Sequence, residues 1–381
     1  MEPTDPKPET RARYFITAGV WIIAVTAIGY VLHQGSDILT PFALAVFVWL
    51  VMEGFAGAIR NRIPAVPVVL AHAISILVVL GGVIGFVAIL RGAVEGFAEN
   101  ADVYEVRINE IISDVYAMLR LQDAPTLSQL FYSDATARFI EPVLSTARSL
   151  AANLVLMVIY IAFLYISSTT FSNKLDGVFT RKEERAQANM MGDAVRSAME
   201  EYLSVQTVLS LIITALTYAT LLVMGLDNAL FWSVVIFILN YIPTIGSIFA
   251  AALPALFAIA QPDWPAYMPA DPLFSALAVL LGVSAWQFII GNFLGPRMMG
   301  ESLNLDPLAV LLSLAIWGAI WGIPGMFLSA PLTVLLMIVL AHTPGARWIA
   351  VILSADGRPT GRPKTAEKGR STAIGDDGAT N

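Results

Sequence analysis

The chain has 381 residues, of which 57% are hydrophobic and 13% charged, and its mean hydropathy is +0.72, whereas a soluble domain carries about 25% charged residues. The net charge of −7 supplies no basic stripe for a phosphate backbone, and the absence of cysteine excludes disulfides, thiolate metal sites and iron–sulfur clusters. These quantities argue against a soluble enzyme and a nucleic-acid partner, and predict an all-α polytopic protein whose solvent is the lipid bilayer.

Apolar runs of about 20 residues, the length that crosses a bilayer, fall at 14–32, 39–58, 66–90, 150–168, 203–224 and 273–294. The first follows Lys7, Arg11 and Arg13, exceeds the apolar region of a signal peptide and reads as an uncleaved span. Between residues 91 and 149 acidic residues interleave with Phe97, Ala101, Tyr104, Ile108, Ile111, Val115 and Met118 at helical spacing. That segment is expected to be an extracytoplasmic insertion: a long amphipathic helix ended by Pro125, then a second piece over 127–149. Residues 181–201 form a third amphipathic segment, an expected cytoplasmic connector. The tail over 351–381, rich from Asp356 onward in Gly, Pro, Thr, Lys and Arg, is expected to be disordered.

Two apolar stretches, 229–260 and 305–341, are too long for one ordinary span and are interrupted by Asn240-Tyr241-Ile242-Pro243 and by Gly322-Ile323-Pro324-Gly325. Each is a broken helix or a helical hairpin. Lys and Arg mark the cytoplasmic side of a span, which places Arg60, Arg62, Lys174, Arg181, Lys182 and Arg185 inside with both termini. Re-entrant hairpins also put Arg297 inside and the Lys/Arg-free 261–272 loop outside; eight plain spans would reverse both. The expected units are three spans over 1–90, the insertion over 91–149, a fourth span and connector over 150–202, a transport core over 203–350, and the tail.

The candidate pathway rests on the interruptions. Pro243 removes a backbone donor and Gly246 permits close approach, while polar groups at membrane depth persist only against protein or a wet cavity. Asn240, Thr244 and Ser247 with the opened backbone therefore face a pathway, or else patch a proline kink. Gly322, Pro324 and Gly325 repeat the theme, and paired interruptions point to a transport site; helix packing is the alternative for the glycines. Gln287 and Asn292 join helices or contact solute. Glu53, near the inner end of the second span, is a candidate for proton or ion coupling. Arg297 and Glu301 are spaced for an ion pair or gate. His33, His72 and His342 lie far apart in sequence, so no metal site is expected. No nucleotide-binding loop or other cofactor motif is found, so transport driven by ATP would need another subunit, and an ion gradient is the expected energy source.

Asn240-Tyr-Ile-Pro-x-Ile-Gly-Ser247, Pro296-x-Met-x-Gly300-x-x-Leu-x-Leu-x-Pro307, Leu312-Ser-Leu, Trp317-Gly318, Gly322, Gly325-Met and Pro331 resemble the motif series of the autoinducer-2 exporter family of bacterial permeases. The resemblance covers about the last 150 residues. It implies a bacterial inner-membrane exporter, forming homo-oligomers, of the signal autoinducer-2 or, in other members, a sodium/proton antiporter. Gly81–Gly85 and Gly291–Gly295 have spacing suited to close helix packing. The shared Gly, Pro and Leu describe a scaffold rather than a substrate. The expectation is thus a secondary transporter of a small polar solute, or of Na+ and H+, with a non-transporting scaffold binding envelope proteins through the insertion as the alternative.

Overall fold

A computed structural model describes residues 8–359 apart from positions 122, 132–153, 169, 171–177, 179–180, 270, 300–303 and 344. Among the described residues the regular elements are helices, with one isolated antiparallel bridge between Leu305 and Ser354. The first half comprises α1 (Pro8–Gln34), α2 (Ser36–Arg62), α3 (Val68–Glu99), α4 (Ala101–Met118), α5 (Leu127–Phe131) and α6 (Leu154–Ser168). The second half comprises α7 (Lys182–Met224), α8 (Ala229–Leu239), α9 (Ile245–Ala260), α10 (Pro272–Ile289), a π-helical turn (Ile290–Leu294), α11 (Gly295–Met299), α12 (Pro307–His342) and α13 (Arg347–Leu353). Five helical stretches are long and apolar enough to cross a membrane by length and composition, α10 being counted with its π turn and α11, and α12 through its break at Gly322; shorter apolar helices accompany them. The protein is an all-α polytopic membrane protein.

Boundaries differ from the sequence reading in three places. The third span does not stop at residue 90 but continues as α3 to Glu99, and the joint lies at Asn100, whose side-chain amide donates to the Gly96 carbonyl. The expected single helix is thereby split, yet Phe97 of α3 and Tyr104 of α4 still pack together on Phe257, while Met118 stays exposed. The connector at 181–201 and the span at 203–224 form one helix of 43 residues. At 1.5 Å per residue it is about 65 Å long, roughly twice a bilayer core, so its first half stands clear of the hydrocarbon. The tail, expected to be disordered from 351, is ordered to residue 359, because α13 runs to Leu353 and Ser354 and Ala355 pair with Leu305 and Asn304. Most of the 127–149 piece, and the tail from 360 onward, lie outside the described residues.

We call lower the end of the bundle at which α2 finishes, and upper the end at which it starts. Both interrupted stretches are helical hairpins. In hairpin 1, α8 and α9, the two feet meet at the upper end. Gln261, only 1% exposed, accepts from the Asp227 amide at 2.8 Å and donates to the Gly225 and Asp263 carbonyls at 2.9 and 2.7 Å. In hairpin 2, α12 reverses at Gly322 (φ 64, ψ −142), a conformation that suits glycine. The Trp317 indole donates to Thr333 at 3.2 Å, which a straight helix would keep about 24 Å apart. Its feet meet at the lower end, where the Asp306 amide donates to the Leu353 carbonyl and the Ala355 amide to the Asn304 carbonyl. The hairpins therefore enter the bundle from opposite ends.

Two apolar cores hold this arrangement. The upper one packs Leu209, Ile213 and Leu221 of α7 against Ile236 of α8, against Ala250, Ala251, Ala255 and Ala258 of α9, and against Val279 and Val283 of α10. The alanines let α9 and α10 approach closely. The lower one joins Leu50 of α2, Met199 and Leu203 of α7, and Val334 and Met337 of α12. α7 runs through both cores, so it is the spine to which both hairpins are fitted.

Candidate functional site

The tip of hairpin 1 is built by local chemistry. Pro243 cannot continue α8, and the Ile245 amide turns back to donate to the Pro243 carbonyl at 2.6 Å. This closes a γ-turn centred on Thr244 at φ 60, ψ −58, the strained form of that turn. Beyond it Gly246 lies against α8: a Cβ there would fall 1.8 Å from the Leu239 carbonyl oxygen. Only glycine permits that return.

α7 and α10 hold the tip in place. Gln206 donates to the Asn240 carbonyl at 2.7 Å, and Gln287 donates to Asn240 Oδ1 at 2.9 Å. The Thr207 hydroxyl donates to the Leu203 carbonyl, leaving its oxygen to accept from the Tyr241 hydroxyl at 2.8 Å. The Asn240 amide nitrogen is buried without a hydrogen-bond partner among the described residues. A buried donor left empty costs about 1–3 kcal/mol, so it marks a place where an acceptor would be stabilised.

Asn240 is among the residues that line a cavity of about 550 Å³, within the usual size range of small-molecule sites, and its unpaired donor is buried in the wall of that cavity. Asn240, Pro243, Thr244 and Ser247 come from the tip, Gln206, Leu209 and Ile213 from α7, and Gln287, Ile290, Gly291, Gly295 and Pro296 from α10 and its extension. Asn304, Leu305, Ala355 and Asp356 close the lower side from the feet of hairpin 2. The π turn shapes the α10 wall. Pro296 has no amide hydrogen to continue the α-helical ladder, and the Gly295 amide instead donates five residues back to Ile290. Such turns often occur at functional sites. The lining is mostly amide, hydroxyl and aliphatic. Its charged group is Asp356, exposed at the mouth, where the Asn304 amide and the Arg358 backbone amide hold its carboxyl below the usual carboxylate range.

The structure gathers Asn240, Pro243, Thr244, Ser247 and Gln287 of the sequence candidates around one cavity, with Gly246 directly behind the tip. Asn292 is one residue beyond the lining Gly291, its side chain donating to the Phe288 carbonyl. Gly322, Pro324 and Gly325 lie at the tip of hairpin 2, away from this cavity. That tip is fastened to α1: Trp321 donates to the Leu32 carbonyl at 3.0 Å, and His33 donates to the Ile320 carbonyl at 2.9 Å. The two broken regions still touch through Tyr241 and Phe327, whose rings are 5.0 Å apart. Glu53 lies elsewhere, in the lower part of α2. Arg297 is exposed on α11, and Glu301 is outside the described residues. Gln206, Asn304 and Asp356 were not among the sequence candidates. A glutamine beside Thr207 at the start of an apolar run was the available signal for Gln206; nothing local pointed to the other two.

Comparison with known proteins decides the lineage. The profile of the AI-2E family transporter matches residues 15–345. The chain belongs to the AI-2E family of transporters. It is 29% identical over 354 residues to the AI-2 transport protein TqsA of Escherichia coli strain K12, covering 89% of this chain and 94% of TqsA. A Haemophilus influenzae protein whose name records transport as a candidate role is 28% identical over 341 residues, or 87% of this chain and 94% of the relative. A similarly named Escherichia coli protein, YhhT, is 26% identical over 365 residues, or 94% and 98%. Membership in this family and the opposed hairpins make the chain a membrane permease. The near-complete coverage in both directions extends the resemblance from the motif-rich second half to the first half.

Proposed function

We propose that this AI-2E transporter exports a small, uncharged polar solute of the autoinducer-2 type across the bacterial inner membrane, through the cavity at the tip of hairpin 1. The observation that carries this reading is a cavity lined by the amide and hydroxyl side chains of Gln206, Asn240, Thr244, Ser247 and Gln287, with the partnerless Asn240 amide buried in its wall. Asn240, Thr244, Ser247, Gln206 and Gln287 hydrogen-bond the solute, while Pro243 and Gly246 hold the turn that presents them. The name of TqsA supports the solute class, and Asp356 at the mouth disfavours anions. The tip of hairpin 2, with Gly322, Pro324 and Gly325, and the nearby Asn292 serve the rest of the pathway. Arg297 is the candidate gate at the lower end.

The lower end carries Arg60, Arg62, Arg181, Lys182 and Arg297, which makes it cytoplasmic by the positive-inside rule and puts both termini inside. Copies of the chain associate along α3, whose most apolar window is only 6% buried. An ion gradient drives transport. Exchange of cations for protons is the second reading, favoured by Glu53, a carboxylate lodged between helices.

Proteoliposomes holding the purified protein separate the two. Autoinducer-2 release that falls at least tenfold in Asn240→Ala supports solute export. Sodium-driven pH change without solute release supports exchange, and silence in both refutes transport of either kind. Cysteines placed at Asp263 and Arg62 in this cysteine-free chain should label from opposite faces of the membrane; labelling from one face would reject the orientation.

A further inference from the structure

The polar contacts of Glu53 impose a condition on protons. His72, in the first turns of α3, has Nδ1 2.8 Å from the Val68 carbonyl oxygen. A carbonyl has no hydrogen to give, so Nδ1 carries one. The other ring nitrogen, Nε2, is 3.1 Å from Glu53 Oε1. If His72 were neutral and Glu53 ionised, two lone pairs would face each other across that distance. The contact is attractive only when one more proton lies between the two atoms, either on the imidazole and donated to the carboxylate, or on the carboxyl and donated to the ring.

The surroundings fit a single proton. Glu53 Oε2 accepts from Arg196 Nη2 of α7 at 3.1 Å, and Arg196 Nε donates to Glu200 at 2.6 Å. Asp193 adds a further negative charge on the same helix. Tyr165 of α6 sets its ring edge-on to His72 at 5.6 Å. Within the hydrogen-bonded set, Arg196, Glu200 and Glu53 sum to one negative charge, which the extra proton cancels. The Glu53 and His72 side chains are only 14% and 21% exposed, where an uncancelled charge is costly.

We propose that Glu53 Oε1 and His72 Nε2 form a proton-binding site that fastens α2 to α3, and that release of its proton breaks that fastening and leaves the Glu53 carboxylate paired with Arg196 of α7 alone. α2 crosses α7 closely here, since a Cβ on Gly54 would lie 2.7 Å from the Ser204 hydroxyl. Gln206, which holds the tip of hairpin 1, is about 15 Å further along the same unbroken α7. The site is therefore placed to couple proton occupancy to the solute cavity. Only that use rests on the transport reading; the proton itself is read without any solute.

The experiment is nitrogen-15 magnetic resonance of histidine-labelled full-length protein in lipid nanodiscs, with infrared spectroscopy of the carboxyl groups. Three histidines occur in the chain, and His72→Gln assigns the relevant signals. At pH 7 the extra proton should be found either on His72 Nε2 or on Glu53, and Glu53→Gln should remove it while leaving Nδ1 protonated. His72→Gln, whose amide donates to Glu53 without an added proton, should abolish the few-degree fall in melting temperature that the parent shows as raised pH strips the site. A neutral His72 beside an ionised Glu53 in the folded protein, or a parent and His72→Gln that melt identically across pH, would overturn the proposal.

Discussion

Hairpin 1 and hairpin 2 each reverse through a proline followed by a glycine pressed on a carbonyl, Gly246 on Leu239 and Gly325 on Trp317, yet their tips meet different surroundings. A Cβ would fall 1.8 Å from the first carbonyl oxygen and 1.9 Å from the second. The tip of hairpin 1 leaves a buried amide donor empty beside a cavity. The tip of hairpin 2 is bound to α1 by Trp321 and His33. Shared backbone chemistry makes both hairpins; the side chains around the tip separate a fastened reversal from one that presents unsatisfied polar groups. A hairpin motif is therefore a scaffold, and what sets the first tip apart as the candidate site is the polar-lined cavity beside it.

Removing the shared device should give the largest effect. Gly246→Ala and Gly325→Ala each force a methyl group onto backbone that cannot yield, at or above the upper end of the roughly 1–3 kcal/mol typical of overpacking. Both should lower the yield of folded protein and its melting temperature in detergent. Tolerance of one and not the other would show that the two reversals are not equivalent.

The next contrast separates site from fastening. Asn240→Ala should cut solute flux tenfold or more while costing only the hydrogen bonds of one side chain, about 1 kcal/mol. Trp321→Phe, which loses the bond to Leu32, should cost a similar amount of stability and leave flux close to the parent. Equal flux losses in the two variants would erase the distinction. Gln206→Ala and Gln287→Ala, each removing one support of the Asn240 tip, should lower flux a few-fold in the same assay.

The smallest effect concerns the upper feet of hairpin 1. Asp227 accepts from the Tyr104 hydroxyl at 3.2 Å, and burial pushes its carboxyl above the usual carboxylate range, with Asp263 adding to the shift and the Tyr104 bond opposing it. Burial chiefly, and then the Asp227 charge, push the Tyr104 hydroxyl up to about 12. A raised carboxyl contributes stability while protonated and loses it as pH rises through its folded value. Asp227→Asn should remove that loss, raising stability at pH 7 relative to pH 4 by less than about 1 kcal/mol, because the half-exposed group is screened by water. Melting curves at the two pH values measure it, and a larger loss on substitution would make the Tyr104 bond the dominant contribution.

Most of the fold was legible because lipid leaves few choices. Long uncharged runs must be helical to satisfy their own backbone, and Pro243, Gly246, Gly322 and Pro324 announced where two of them break. The family motifs were carried by the same residues, since glycine and proline act through local backbone geometry. Span boundaries were less legible: nothing local at residue 90 or 202 requires a helix to stop, and α3 and α7 run on. The cavity was beyond the sequence in another way. Gln206, Asn304 and Asp356 stand 34 to 116 positions from the Asn240 tip, and only folding the feet of hairpin 2 beneath hairpin 1 makes them one lining. The π turn that brings Gly291 and Gly295 to that wall, and the meeting of Glu53 with His72 and Arg196, were decided in the same way. Local backbone chemistry could be read residue by residue, while polar groups acquire partners only when helices distant in the chain are packed together.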